Sequence, residues 1–218
     1  MKYRKLTSSL ALLVSLLPLT ACALSGKAID GKVLEEGTQQ PIPSAIVVAR
    51  WQGHLASWGH GKTVCYHVLT TTSDERGHFH FPAWKKDITE DWQKNIRPED
   101  VLIDAYKPGY GLPTAPSQKR EIVLLKPFTG TRGQRFQSLW RNFRATGCHA
   151  AGRSARNLYP LYKATYEESK PLAATDEEKR LLQIMRELTA SAWIAEDDSR
   201  STGEEQKLIK EFLRDHLP

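Results

Sequence analysis

The sequence predicts a mainly β fold with added α: a β-sandwich to about residue 126, followed by a C-terminal helical extension. Two changes of pattern carry this expectation. Between residues 27 and 126, short β-branched or alternating runs recur between Gly, Pro and Asp turn signals, at the spacing expected of a sandwich. After Gly133 the apolar period lengthens: Phe136, Leu139, Trp140 and Phe143 fall at i, i+3, i+4 and i+7, which places them on one helical face.

The strand half reads in order. "AIDGKVLEE" and "SAIVVARW" flank "GTQQPIP", a loop rich in Gly and Pro. "TVCYHVLTTTS" is β-branched and alternating, "DERG" is a turn, and "HFHFP" alternates strictly until Pro82. In that run Phe79 and Phe81 are expected on one face, His78 and His80 on the other. Asp74 can bond the turn backbone, and Gly77 can take positive φ. "VLIDAYKPGYG" and "REIVLLK" complete about six strands, in line with the sandwich pattern. A helical turn around Ile88 to Trp92 is the one exception considered in this half.

The helical half carries its own punctuation. Pro160 opens a helix at its first turn, where a missing N–H costs nothing. Thr175 and Glu178 form a capping box ahead of Leu181, Leu182, Met185, Leu188 and Ala192. Thr202 and Glu205 repeat the device before Leu208, Ile209, Phe212 and Leu213. Amphipathic helices of this kind are expected to pack on each other and on one sheet face.

The first residues have a different character. Lys2, Arg4 and Lys5 form a positive head, Leu6 to Leu19 carry no charge, and small residues follow. That is the layout of a secretory signal, shorter than the roughly 20 apolar residues that span a bilayer. Leu19-Thr20-Ala21-Cys22 resembles the lipobox of bacterial lipoproteins, in which the cysteine thiol is diacylated and the chain is cut just before it. Ala21-Cys22-Ala23 also fits an ordinary A-x-A cleavage site. The lipobox reading implies a membrane anchor at Cys22, palmitate included, and with Ala23 next it implies the outer membrane, facing the periplasm. The resulting division is 1–21 signal peptide, 22–126 β-sandwich and 127–218 helical extension. The net charge is +6 for the whole chain and +3 once the three bases of the signal are removed. So mild a balance does not argue for nucleic acid.

The strand half also resembles the carboxypeptidase regulatory-like domain. The resemblance rests on Gly31, Val33, Pro41, Ile42, Ala45 and Val47, then Ser73, Asp74, Gly77 and Phe79, and finally Lys107, Pro108, Gly109 and Tyr110. It implies a seven-stranded Greek-key sandwich of the prealbumin type over residues 27–126. It leaves out an insertion-like stretch after Trp51 and the C-terminal helices. It also resembles that family's accessory module, not its catalytic one.

Catalytic patterns fail individually. "ASWGHGKT", residues 56–63, satisfies a relaxed phosphate-loop pattern, but a strand-like run follows where a helix is needed; no nucleotide is expected. No H-E-x-x-H and no G-x-S-x-G elbow occurs. His67, His78 and His80 are the weak metal candidates, since a histidine pair at i, i+2 on a strand can share an ion; solvated histidines are the plainer reading. No cofactor is expected. The chain is expected to be a non-catalytic binding or structural module, with an envelope protein or glycan as partner. A metal-dependent or thiol enzyme on the histidine-rich strands is the alternative.

Two features remain. The three cysteines are Cys22, Cys65 and Cys148. Under either cleavage reading Cys22 is set apart, leaving Cys65 and Cys148 to pair in an oxidising compartment or to stay as two buried thiols. Residues 122–166 contain eight bases and no acid, whereas residues 167–218 hold 13 acids and eight bases. Either the two stretches compensate each other, or Arg132, Arg135, Arg141, Arg144, Arg153 and Arg156 form a surface for an anionic partner.

Overall fold

The computed structural model describes residues 23–55, 62–88, 96–111, 122–148, 156–194 and 202–216. Nine strands and four α-helices occur among them: β1 Ala23–Gly26, β2 Ile29–Glu35, β3 Ile46–Leu55, β4 Lys62–Thr72, β5 His78–Phe81, β6 Trp84–Asp87, β7 Ile96–Tyr106, β8 Tyr110–Gly111 and β9 Ile122–Pro127. The helices are α1 Arg132–Ala145, α2 Tyr159–Ser169, α3 Asp176–Ile194 and α4 Thr202–His216. The fold is therefore mixed and β-rich.

The strands form a four-stranded sheet in the order β5-β2-β9-β8, a three-stranded sheet β4-β3-β7, and a two-stranded ribbon β1-β6. Most pairings are antiparallel, but β2 and β9 run parallel, Val33 opposite Val123. Val33, Phe79, Phe81, Val123 and Leu125 of the first sheet are buried in one core with Val47, Ala49, Trp51, Val101 and Ile103 of the second. The strict alternation of β5 explains its part, for Phe79 and Phe81 turn inward while His78 and His80 are exposed.

β3 is buried on both faces because both are covered. Val47, Ala49 and Trp51 enter the core between the sheets. Val48 instead joins Val68 and Tyr106 beneath the helices, among Leu139, Phe143, Leu161, Tyr166, Met185 and Phe212. The molecule is thus layered: four-stranded sheet, three-stranded sheet, helices. Phe143 and Tyr162 stack across α1 and α2 with centroids 4.2 Å apart. The expected helical face of α1 is the one that packs: Phe136, Leu139 and Phe143 are fully buried and Trp140 lies at the edge.

Helix ends follow the sequence closely. Glu178 N donates to Thr175 Oγ1 at 3.1 Å, and Thr175 N donates back to Glu178 Oε2 at 2.9 Å, completing the capping box. Thr131 and Gln134 form a second box at the start of α1, the T-x-x-Q pattern that such a box needs. Pro160 sits in the first turn of α2. α4 begins at Thr202 itself. The turn at 74–77 closes as expected, with Asp74 Oδ1 accepting from Arg76 N and His78 N and Gly77 at φ +72°. Among the described residues no helix is long and apolar enough to cross a membrane.

Candidate functional site

The β1–β6 ribbon is where the described fold begins, with β1 starting at Ala23, the residue after Cys22 in sequence. Cys22 itself, the signal-like segment, Ala56–Gly61 of the phosphate-loop pattern, Trp92 and Arg153 lie outside the described residues. Ala23 pairs with Asp87, Leu24 with Lys86, Ser25 with Lys85 and Gly26 with Trp84. Leu24 is buried in the inter-sheet core, and Trp84 packs against that core. Behind the ribbon stands an aromatic cluster. Trp51 meets Trp84 edge-on at 5.3 Å, His67 lies over Trp84 at 3.8 Å, and Tyr66 is 6.2 Å from Trp84.

Gly26 is required where these rings converge. A Cβ there would stand 2.7 Å from Trp51 Nε1 and closer still to Trp84 Nε1. The close approach of backbone to indole is what glycine permits.

A bulge builds the cluster. Trp51 pairs with His67 but Gln52 pairs with Cys65, so Tyr66 is an extra residue in β4. The extra residue breaks the period of two. Tyr66 and His67 both turn toward the inter-sheet core, while Cys65 and Val68 face the helices. His67 Nδ1 and Nε2 and Trp84 Nε1 are buried without hydrogen-bond partners among the described residues. Burial, followed by the charge of Lys86, holds the His67 imidazole down to a pKa of about 4, so it is neutral at pH 7.

The three histidine candidates are not brought together. His78 and His80 are exposed on β5, His80 Nδ1 lying 2.7 Å from Asp30 Oδ1. His67 is enclosed by Trp51 and Trp84. Among the described residues no three His, Cys, Asp or Glu side chains stand as a metal would require. His78 and His80 share the exposed face of β5, whereas the bulge turns His67 into the core, away from them. Cys65 and Cys148 are bonded to each other across 83 residues, with Cα atoms 5.0 Å apart. The bridge ties β4 to the segment just after α1.

The arginines do not form one surface. Arg135 is buried: its Nε donates to Glu168 Oε1 at 2.7 Å and its Nη2 to Oε2 at 2.8 Å, and Phe128 lies beneath its guanidinium. Tyr106 Oη lies 2.6 Å from the same carboxylate; burial first, then this bond, raises the phenol's pKa. Gly109 N also donates to Glu168, so the Lys107–Tyr110 turn is fastened to α1 and α2. Arg132 Nη1 donates to Glu178 at 2.9 Å. The backbone N–H groups of Thr175 and Ala174, then Arg132, hold the Glu178 carboxyl at about 2. Arg141 and Arg144 are exposed, and Arg156 lies 4.6 Å over Trp193. Arg132 and Arg135 are thus ion-paired within the domain, with acids of α3 and α2 respectively. An unforeseen ion pair, Arg50 with Asp104, sits under the helices. Arg50 also donates to the Ala145 carbonyl at 2.6 Å, at the C-terminal end of α1.

No protein-family model matches the chain, and no curated protein matches it in sequence. Among solved structures, the crystal structure of a 9R-lipoxygenase from Cyanothece PCC8801 is similar over 67% of this chain, with 9% identity and a TM-score of 0.27. This chain spans 24% of that structure. A likeness at that score carries no inference about activity.

Proposed function

We propose that the chain is a lipid-anchored envelope protein whose folded part is a non-catalytic binding or structural module. In this reading residues 1–21 are a signal peptide, Cys22 carries the lipid, and the protein stands on the outer membrane facing the periplasm. Residues 22–126 are a Greek-key sandwich of the prealbumin type, and residues 127–218 are the helical extension. Two sheets of four and three strands around one core support the sandwich. An envelope protein or glycan is the partner.

The observation that carries the reading is the pairing of sulfurs. With Cys65 and Cys148 joined, the third cysteine stands alone after an uncharged run of 14 residues from Leu6 to Leu19. Disulfides persist in exported proteins, and a lipid-bearing cysteine needs no partner. Metabolic labelling with radioactive palmitate tests it. The wild-type chain is expected to carry label in the membrane fraction, and Cys22→Ser to lose it. Unlabelled wild-type protein released in soluble form would overturn the reading.

A further inference from the structure

The ribbon leaves no slack between Cys22 and the folded body. Ala23, one peptide bond on, is already in register with Asp87, and successive Cα atoms are about 3.8 Å apart. Leu24 is 6% exposed within the inter-sheet core, and Gly26 is wedged against Trp51 and Trp84. An acyl group on Cys22 would therefore be attached to a fixed surface rather than to a tether.

That surface has the chemistry of a headgroup contact. Lys85 is exposed on β6 and Lys27 is exposed just after β1, whereas Lys86 is half-buried on the other face of the strand with Trp84. Asp87 is the acid of the ribbon. Bases outnumber acids where the bilayer would lie, and anionic headgroups attract such bases within a Debye length. The helical layer lies on the opposite face of β4-β3-β7 from the core that Leu24 and Trp84 enter.

We propose that the β1–β6 ribbon is the membrane-facing surface of the folded body, seated on anionic phospholipid headgroups through Lys27 and Lys85. The proposal rests on the reading that Cys22 is acylated. It fixes the orientation of the molecule: the inter-sheet core is held at the bilayer by its ribbon end, and the helices remain free to meet a partner.

The test uses the full lipidated protein in vesicles of phosphatidylethanolamine and phosphatidylglycerol. Ser25→Cys, opposite Lys85 on the ribbon and exposed, and, as a control on α3, Lys179→Cys each add one free thiol, since Cys65 and Cys148 are bonded and Cys22 is acylated. An environment-sensitive fluorophore on that thiol is then quenched by headgroup nitroxides. Quenching several-fold stronger at position 25 than at 179 is expected, and a flexible Gly-Ser spacer between Cys22 and Ala23 should bring the two together. Ala28→Cys, exposed just after the ribbon, gives a second reading should Ser25→Cys fail to fold. Palmitate-labelled protein with equal quenching at ribbon and α3 overturns this proposal and leaves the anchor standing. Protein without palmitate removes both.

Discussion

The imidazole of His67 lies 3.8 Å from the indole of Trp84, centroid to centroid, and among the described residues neither ring finds a hydrogen-bond partner for its buried nitrogens. Neutral His67 is tolerated there; a charged one is not, because burial strips its water and Lys86 is near. The folded pKa of about 4 lies below the ordinary 6.5. Between those values the unfolded chain binds more protons, so stability falls as pH drops from about 6.5 toward 4 and is flat on this account above it. His67→Phe should flatten that part of the profile while keeping the packing. Urea unfolding at a series of pH values checks this; an unchanged slope between wild type and variant would sink it.

Glu178 adds a separate, more acidic window. Its carboxylate accepts from Thr175 N and Ala174 N and pairs with Arg132, which lowers its pKa from 4.5 to about 2. The sign is that of a depressed acid: the stabilisation is complete above about 4.5 and is lost as pH falls toward 2. Glu178→Gln should remove this acid-labile part and loosen the first turn of α3. Amide exchange in Thr175 to Lys179, followed from pH 5 to pH 2 as an order-of-magnitude range, reports it directly.

Arg135 and Glu168 test how the helical layer is fastened. Both are largely enclosed, with side chains 5% and 18% exposed, and Tyr106 and Gly109 depend on the same carboxylate. Removing one member of a buried pair strands the other charge and costs about 3–5 kcal/mol. Arg135→Met and Glu168→Gln should each destabilise in that range or somewhat below it, and the double variant by less than their sum. A double-mutant cycle by denaturant unfolding measures the coupling. Additive losses would show that the contact contributes little.

How much of this was legible in the sequence depends on the range of the interaction. Phe79 and Phe81 announce β5, and Thr175 with Glu178 announces α3, because period and capping are local. β1 and β6 were not legible: "ALSG" and "WKKD" are short, and their strand character comes from Leu24 and Trp84 entering a core made elsewhere. The bulge at Tyr66 was hidden too, since alternation alone puts His67 on the face of Cys65. The Arg135–Glu168 pair spans 33 residues and has no periodic signature. Charge totals hinted that bases and acids compensate, but only the fold selects which.

The disulfide offers a stability prediction independent of charge. Cys65 and Cys148 close a loop with a sequence separation of 83, and such closures typically stabilise by about 2–4 kcal/mol. Cys65→Ser with Cys148→Ser should lower the denaturation midpoint accordingly. The slope against denaturant should stay near that of the reduced wild type. Two reactive sulfhydryls in the non-reduced, folded protein would contradict the bridge.

Gly26 is the sharpest test of the ribbon. Adding a methyl group there drives Cβ against Trp51 Nε1 and Trp84 Nε1, and the rings cannot simply retreat, because Trp51 is buried and His67 lies against both of them. Overpacking of this kind typically costs about 1–3 kcal/mol. The loss should be local. In Gly26→Ala the amides of Leu24, Ser25 and Lys85 should exchange faster, while those of Val47 to Ala49, held between β4 and β7, should keep their protection. Uniform loss of protection through both sheets would mean that the ribbon is part of the global folding unit, and not a separately fastened strap.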